Sequence, residues 1–533
     1  MSRVFIHNNN LCEDFENREL YAQNIEVDKY ISSNLLDKVK AANPDIIFIK
    51  DALTEQYIDL LGLRVAMHIR LSTGKLKYLP IVIVSELSHI ILQKLSPLAK
   101  ILITKNIFLI KNTKEAINNF DETLIKPFEG NEYYEKFLNL IEIEPPKDYL
   151  SHHSIANEWS IYKWGKALSL STDNIKENNE TINHLLYFKY LVAKDYSDDI
   201  DFEKLKTKFQ NAGRIVSIDD ELDNGWRDIF KSIFKYNKKI TFQSLNYDYK
   251  DKGYWAVKMK VLKFIEDHNP DVVLLDLRLV QADHEEERDI EDISGIKILQ
   301  EIHKINAGIQ VIMLTATGKS TILEKLYEYN ILGYIKKEHP DDKDLNTKEN
   351  IEKLMHLVDQ GFQKSYLKEI SLTQKKILEL NIMKNALLTL DGDNQMVEIK
   401  NSIPQVFDIL NSNIPKGFVY STFVIFKCLE SIVKFYMYEK YFNGRYEAFW
   451  RDSDQQLPNG SSIEKRLKAI LNQKLNLRDL DKRIEEIVGC RNYLIHPKDS
   501  ERYQNNILIT SPNEVNIKEW LNMLSSILKS MDF

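Results

Sequence analysis

Up to about residue 345, short continuous apolar runs alternate with stretches that carry apolar residues at helical spacing. Runs without alternation suit strands buried on both faces of a parallel sheet. Two stretches read alike. VLKFIEDHNPDVVLLDLRL (261–279) is a helical pattern, an Asn-Pro-Asp stop and an apolar run, and LDKVKAANPDIIFIKDAL (36–53) repeats it. Each copy is preceded by a short apolar strand (Arg3 to Ile6, Arg214 to Ile218) and followed by another (Ile81 to Val84, Val311 to Leu314). Strands alternating with helices predict two doubly wound parallel α/β units. From about 346 the pattern turns helical to the end. STFVIFKCLESIVKFYMYEKYF (421–442) reads as one long apolar-faced helix, with IEKRLKAILNQKL and LRDLDKRIEEIVGCRNYLI after it. The expected fold class is multidomain, two α/β units followed by an all-α bundle.

A chain of 533 residues holds more than one core. The pattern divides it into an α/β unit over 1–140, a helical linker over 141–210, a second α/β unit over 211–365 and a helical domain over 370–533. Hydrophobic residues at 43% and charged residues at 28% are ordinary globular values. A net charge of -7 gives no global field for nucleic acid or anionic lipid, so such binding is local. Three cysteines (Cys12, Cys428, Cys490) without a Cys-x-x-Cys pair support neither a disulfide framework nor a cysteine zinc site. No apolar run approaches the roughly 18 to 20 residues of a membrane span. The expected location is cytoplasmic, with no membrane partner.

Doubly wound sheets bind ligands beyond the carboxyl ends of their strands. In the second unit those positions are Asp219 and Asp220, Asp276, Thr315 and Lys337. Three carboxylates packed together raise one another's pKa values unless a divalent cation sits among them. Oxygen ligands suit magnesium, which uses one or two carboxylates plus waters and phosphate oxygens. A lysine and a threonine beside it can bind the oxygens of a phosphoryl group on the central aspartate.

IVSIDDE, PDVVLLDLRL, SGIKIL, VIMLTA and GYIKK stand in one order over about 212–345, and this constellation resembles the response-regulator receiver domain, a flavodoxin-like fold. The resemblance implies Asp276 as phosphoacceptor, Asp220 and the Arg278 carbonyl as Mg2+ ligands, and Asp219 acting on the metal mainly through water. It further implies Thr315 as switch hydroxyl, Tyr334 as switch aromatic and Lys337 as the phosphate-binding lysine, with Lys336 one position away. The chain departs from the family pattern in two places. Glu338 stands where a proline is usual, and 18 residues separate Asp276 from Gly295, including QADHEEERDIED with seven acids and one arginine. This acidic insertion, at 280–293, reads as a solvated excursion. The aromatic residues Phe242, Tyr247, Tyr249 and Trp255 read as packing.

Aligning the copies puts Asn8 and Asn9 at the acidic pair, Lys50 at the phosphoacceptor and Ser85 at the switch hydroxyl. Lysine forms no acyl phosphate and asparagine supplies no anionic ligand, so the first unit reads as a degenerate pseudo-receiver for docking or dimerisation. Asp51 faces the other side of the strand. In the linker, Trp159 and Trp164 read as core, and the neighbouring His152 and His153 lack a third metal-ligand partner. Thr317-Gly318-Lys319-Ser320-Thr321 is a chance match to the end of a P-loop, since the glycine required earlier falls on Met313.

The informative C-terminal segment is Arg491-Asn492-Tyr493-Leu494-Ile495-His496-Pro497. Pro497 biases His496 away from helical geometry. A histidine that moves a proton and an arginine that stabilises phosphate charge suit metal-free RNA cleavage. The pattern resembles the HEPN family over about 415–530, whose ribonuclease members carry Arg-x4-6-His. That likeness implies Arg491, Asn492 and His496 as catalytic, with no cofactor in this domain; the other reading has Arg491 paired to Glu485 or Glu486 and His496 capping a helix. The sequence is thus expected to encode a two-component response regulator, phosphorylated on Asp276 by a histidine kinase or phosphotransfer protein. A homodimer would assemble a HEPN-type endoribonuclease acting on RNA in a stress or anti-phage response. The alternative is a signalling adaptor or phosphate sink.

Overall fold

The computed structural model describes residues 2–7, 25–54, 58–145, 152–195, 209–235, 237–284, 289–316, 320–342, 346–386, 395–412, 414–442, 444–457, 462–496 and 509–532. Asn8, Asn9, most of the P-loop-like match and Pro497 lie outside them, as do the His152 and His153 side chains. The first unit is a four-stranded parallel sheet in the order β1 (Arg3–Ile6), β2 (Ile46–Lys50), β3 (Ile81–Ser85), β4 (Ile107–Lys111). The second comprises β5 (Gly213–Ile218), β6 (Ile240–Ser244), β7 (Val272–Asp276), β8 (Gln310–Thr315) and β9 (Gly333–Lys336), all parallel, in the order β6-β5-β7-β8-β9. That order reverses between β5 and β7, so a crevice opens beyond their carboxyl ends.

The internal repeat is carried by backbone devices. Asn43 and Asn269 both adopt the left-handed conformation at φ 41° and ψ 59°, ending the helix before β2 and β7, and the following proline prevents its resumption. The aspartate of each Asn-Pro-Asp then binds the preceding strand: Asp45 accepts from the Ser2 amide at 2.6 Å and Asp271 from the Arg214 amide at 2.9 Å. Past each central strand a glycine meets the strand end. A Cβ at Gly62 would lie 2.1 Å from the Lys50 carbonyl, and one at Gly295 would lie 2.4 Å from the Asp276 carbonyl. No side chain fits either place.

The loop between strand and glycine is also held alike in both copies. Asp283 accepts from the amides of Leu279, Val280 and Ser294 at 3.1, 3.2 and 3.0 Å. In the first unit Asp59 accepts from Leu53, Thr54 and Leu61 at 3.1, 2.6 and 2.9 Å. This corrects in part the reading of 280–293 as a solvated excursion: Gln281, Ala282, His284, Asp289, Glu291 and Asp292 are exposed as expected, but the segment is anchored from within. Asp283 is fully buried, Val280, Ile290 and Ile293 are buried, and 285–288 lie outside the described residues. A chain end of this kind costs backbone hydrogen bonds unless an acceptor replaces them, and a buried carboxylate with three amide donors does so.

Helices α1 (His152–Ala167), α2 (Asp173–His184) and α3 (Leu186–Lys194) form the linker. It belongs to both units. Ile155 and Trp159 enter the core of the first, while Ile161, Trp164 and Leu168 enter the core of the second. Both tryptophans are buried, as the pattern predicted. Leu186 donates its amide to Asp28, which also holds Arg64 at 2.6 and 2.8 Å in the first unit. On the other side α4 (Trp226–Phe234) and α5 (Tyr254–His268) follow β5 and β6, α6 (Ser294–Ile305) follows β7, and α7 (Thr347–Gln363) follows β9. Linker helix α1 packs against α4 and α7. Phe242, Tyr247 and Tyr249 pack as expected, but Trp255, in the first turn of α5, is 70% exposed.

The C-terminal region is helical: α8 (Leu367–Leu378), α9 (Gln395–Asn411), α10 (Gly417–Tyr436), α11 (Ile463–Ile470), α12 (Asp481–Ile495) and α13 (Glu514–Ser530) enclose one core around Trp520, Leu429 and Ile487. One feature differs from the all-helical expectation. The helix predicted over 421–442 ends at Tyr436, and the chain becomes an antiparallel hairpin of β10 (Met437–Phe442) and β11 (Arg445–Trp450). Met437 pairs with Trp450 across the hairpin, and Glu447, Ala448, Phe449 and Trp450 are buried in succession, so the second strand is covered on both faces.

Candidate functional site

Asp219, Asp276 and Lys337 meet at the carboxyl ends of β5, β7 and β9, and all three are buried. The Lys337 ammonium stands 2.9 Å from Asp219 and 2.8 Å from Asp276. Lys336 instead pairs with Asp342 at 2.5 Å, because successive strand residues face opposite sides of the sheet. The second oxygen of Asp276 accepts from the Arg278 amide at 2.7 Å, and Asp219 accepts from the Glu221 amide at 2.7 Å. Asp220 is half-buried at the rim of a cleft of roughly 680 Å³, lined also by Glu221, Asp223, Tyr247, Tyr249 and His284. Thr315 ends β8, buried, and its carbonyl accepts from the Lys337 amide at 2.7 Å. Tyr334 is half-buried on β9, its ring 4.3 Å from the Lys353 ammonium.

Charge is unbalanced here. Burial raises the pKa of Asp276 and Asp219, and Lys337 opposes the rise. Asp220 lies well above the usual carboxylate range through burial and the charges of Asp276 and Asp219. Burial alone would lower Lys337, but the three carboxylates overcome it and hold the ammonium charged. Among the described residues the Lys337 ammonium pairs directly with two of these acids. Among the described residues no group of three or more His, Cys, Asp or Glu forms a ready-made metal cage. The donor set nevertheless fits a hard, partly hydrated cation: carboxylate oxygens at the rim, an Asp220 carboxylate with no ion pair among the described residues, and a buried Tyr249 hydroxyl that bonds no described residue.

Several residues at this site escaped the sequence reading. Lys337 lies 5.5 Å from the centre of the Trp226 ring, whose indole N–H donates to Asn157 of the linker at 3.2 Å. Next to Asn157, Glu158 is pushed up to about 7 by burial, with Asn178 opposing and Glu221 adding to the rise. Glu338 accepts from Trp164 Nε1 at 2.9 Å and from Thr347 Oγ1 at 2.8 Å. Only the last element of IVSIDDE pointed to Glu221; nothing in the sequence marks a linker helix against the site.

In the first unit the strand registers make Lys50 the counterpart of Asp276 and Ser85 that of Thr315. The same registers place Asn112 where Lys337 stands. Strand alternation predicts Asp51 facing away from the site, but it is buried and accepts from the Ser85 hydroxyl, so its carboxylate stands beside the switch-hydroxyl counterpart at the strand ends. Burial raises its pKa, and it is not aligned with the acceptor position.

At the end of α12, His496 is exposed and C-caps the helix, its amide donating to the Asn492 carbonyl at 2.8 Å. Arg491 is half-buried, 4.9 Å from the Phe426 ring centre, and donates to the Asn492 side chain at 3.1 Å. No hydrogen bond joins Arg491 to His496 among the described residues. The alternative pairing of Arg491 with Glu485 or Glu486 is also not formed, since Glu485 holds Lys468 and Glu486 holds Arg483.

Residues 2–110 match the inactive receiver domain, and residues 239–348 match the response regulator receiver domain. Two receiver-type units stand in this chain. The second match begins at β6, yet β5 completes that sheet between β6 and β7 and brings Asp219 to Lys337. Similar solved structures include a LuxR-family two-component response regulator from Aurantimonas sp. SI85-9A1, at 16% identity over 28% of this chain and 86% of that one, TM-score 0.20. NtrX from Brucella abortus in complex with ATP is 19% identical over 37% of this chain and 34% of that one, TM-score 0.21. This chain therefore spans about a third of that relative. No curated protein matches. No helix among the described residues is long and apolar enough to cross a membrane.

Proposed function

We propose that the chain is a two-component response regulator whose second receiver unit takes a phosphoryl group on Asp276 from a phosphohistidine of a kinase or phosphotransfer protein. The observation that carries this reading is the Lys337 ammonium held between Asp219 and Asp276 at the switch point of the sheet. A carboxylate oxygen of Asp276 attacks phosphorus, the phosphorus–nitrogen bond breaks, and the donor imidazole leaves. Asp220, Asp276 and the Arg278 carbonyl would hold Mg2+, with Asp219 reaching it through water; the ion neutralises charge between the acids and the phosphoryl oxygens. Lys337 then exchanges a carboxylate for a phosphoryl oxygen, Thr315 donates its hydroxyl to another, and Tyr334 repacks behind it. Because Lys337 faces Trp226 and adjoins Glu338, any shift of the lysine loads the linker contacts directly.

The output we assign to the C-terminal helical region, where Arg491, Asn492 and exposed His496 suit metal-independent RNA cleavage at a site assembled between two copies. One observation favours a second reading, a signalling adaptor: Arg491 is engaged with Phe426 and Asn492 rather than with His496. Radiolabelled acetyl phosphate with Mg2+ tests the trigger, since labelling should vanish in Asp276→Ala. RNA incubated with the beryllofluoride-treated protein tests the output: fragments ending in 2',3'-cyclic phosphate, lost in His496→Ala, support the nuclease, and intact RNA beside a changed oligomeric state supports the adaptor.

A further inference from the structure

Tyr249 lies in the loop between β6 and α5, and it lines the cleft together with Asp220 and Glu221. Its side chain is 9% exposed, its ring packs against Tyr247 at 5.2 Å, and its hydroxyl has no hydrogen-bond partner among the described residues. A buried hydroxyl without a partner forfeits its hydration and gains nothing in return, so a fold that served only packing would be better off with phenylalanine. The group is therefore held for something that arrives. What arrives is limited by the surroundings. Asp219, Asp220 and Asp276 all act electrostatically on this phenol, so a bare anion is repelled there, whereas the water shell of a cation is attracted. Water bound to a divalent cation is a strong hydrogen-bond donor, and a neutral phenol oxygen is an acceptor that adds no charge.

We infer that the Tyr249 hydroxyl accepts a hydrogen bond from a water coordinated to the divalent cation held by Asp220 and Asp276, and so sets the affinity of the site for that cation. The inference rests on the phosphoacceptor reading above and adds a residue outside the strand-end set. Tyr249 touches no reacting atom; it positions the cation's water. Outer partners of this kind typically change metal affinity by about tenfold or more.

The test is calorimetric titration of the full chain with MgCl2, in the absence of any phosphodonor, for wild type, Tyr249→Phe and a chain carrying 3-fluorotyrosine at 249. The expected result is an affinity about tenfold weaker for the phenylalanine variant and intermediate for the fluorinated phenol, a poorer acceptor. The metal-free melting temperature of Tyr249→Phe should equal or exceed that of wild type, which a merely structural hydroxyl partner would not give. Equal magnesium affinity in wild type and Tyr249→Phe overturns the assignment while leaving Asp276 untouched. A wild-type chain that neither binds magnesium nor labels with acetyl phosphate removes the phosphoacceptor reading itself.

Discussion

The Trp164 indole donates to the Glu338 carboxylate at 2.9 Å, tying the linker to the residue that follows the buried lysine of the site. Glu338 is itself buried, so its carboxylate depends on this donor and on Thr347. Trp164→Phe removes the donor and part of a fully buried ring, which is expected to cost about 1–3 kcal/mol or more in urea unfolding. An unchanged midpoint would show that the linker does not report on this position.

Lys337 forms ion pairs with two buried carboxylates, and removing it strands both. Lys337→Met is expected to destabilise the metal-free chain by about 3–5 kcal/mol. Magnesium should return part of the loss, read as a larger metal-dependent rise in Tm than wild type shows.

Asp220 is held above the ordinary carboxylate range by burial and two like charges. Asp220→Asn relieves that repulsion, so the metal-free protein should gain about 1 kcal/mol while its stabilisation by MgCl2 shrinks. A variant that loses stability without metal would contradict the charge assignment.

Glu158 carries a folded-state pKa of about 7 against an ordinary 4.5. A raised carboxyl pKa means the folded chain binds the extra proton. Its contribution is therefore full below about 4.5 and is lost as pH rises through about 7, a change on the order of 2 kcal/mol. Chemical denaturation between pH 5 and 8 should show this slope in wild type and a flatter one in Glu158→Gln.

Asp283→Asn and Asp59→Asn should each cost about 1.5–3 kcal/mol, because each replaces a charged acceptor of three backbone amides. Hydrogen exchange at those amides should quicken in the mutated unit alone.

The strand ends were legible because a doubly wound sheet delivers its terminal residues to one edge whatever the rest of the chain does. Asp219, Asp276 and Lys337 needed no tertiary information beyond strand order. Trp226, Glu158 and Glu338 were not legible as site neighbours, because they meet only when a linker helix from another part of the chain packs across α4 and α7. Asp283 was masked by composition: a run of acids reads as solvated, and only the loop closing onto Gly295 turns one of them inward. The hairpin carried a signal that went unused. Asn443-Gly444 between alternating residues is a turn signature, and Gly444 adopts φ 82°. The preceding apolar run of α10 continues in helical period into FYMYEKYF, so spacing alone favoured extending the helix.

The glycine that crosses each central strand end has a bearing on how such chains diverge. Acids and amines of the site can be exchanged together, since they satisfy one another, whereas a single methyl at Gly62 or Gly295 would collide with main chain. A receiver can thus lose every reactive group and still be obliged to keep its Asn-Pro-Asp and its downstream glycine. Searching genomes for that skeleton, without regard to the acids, should uncover silent relatives that a catalytic signature passes over.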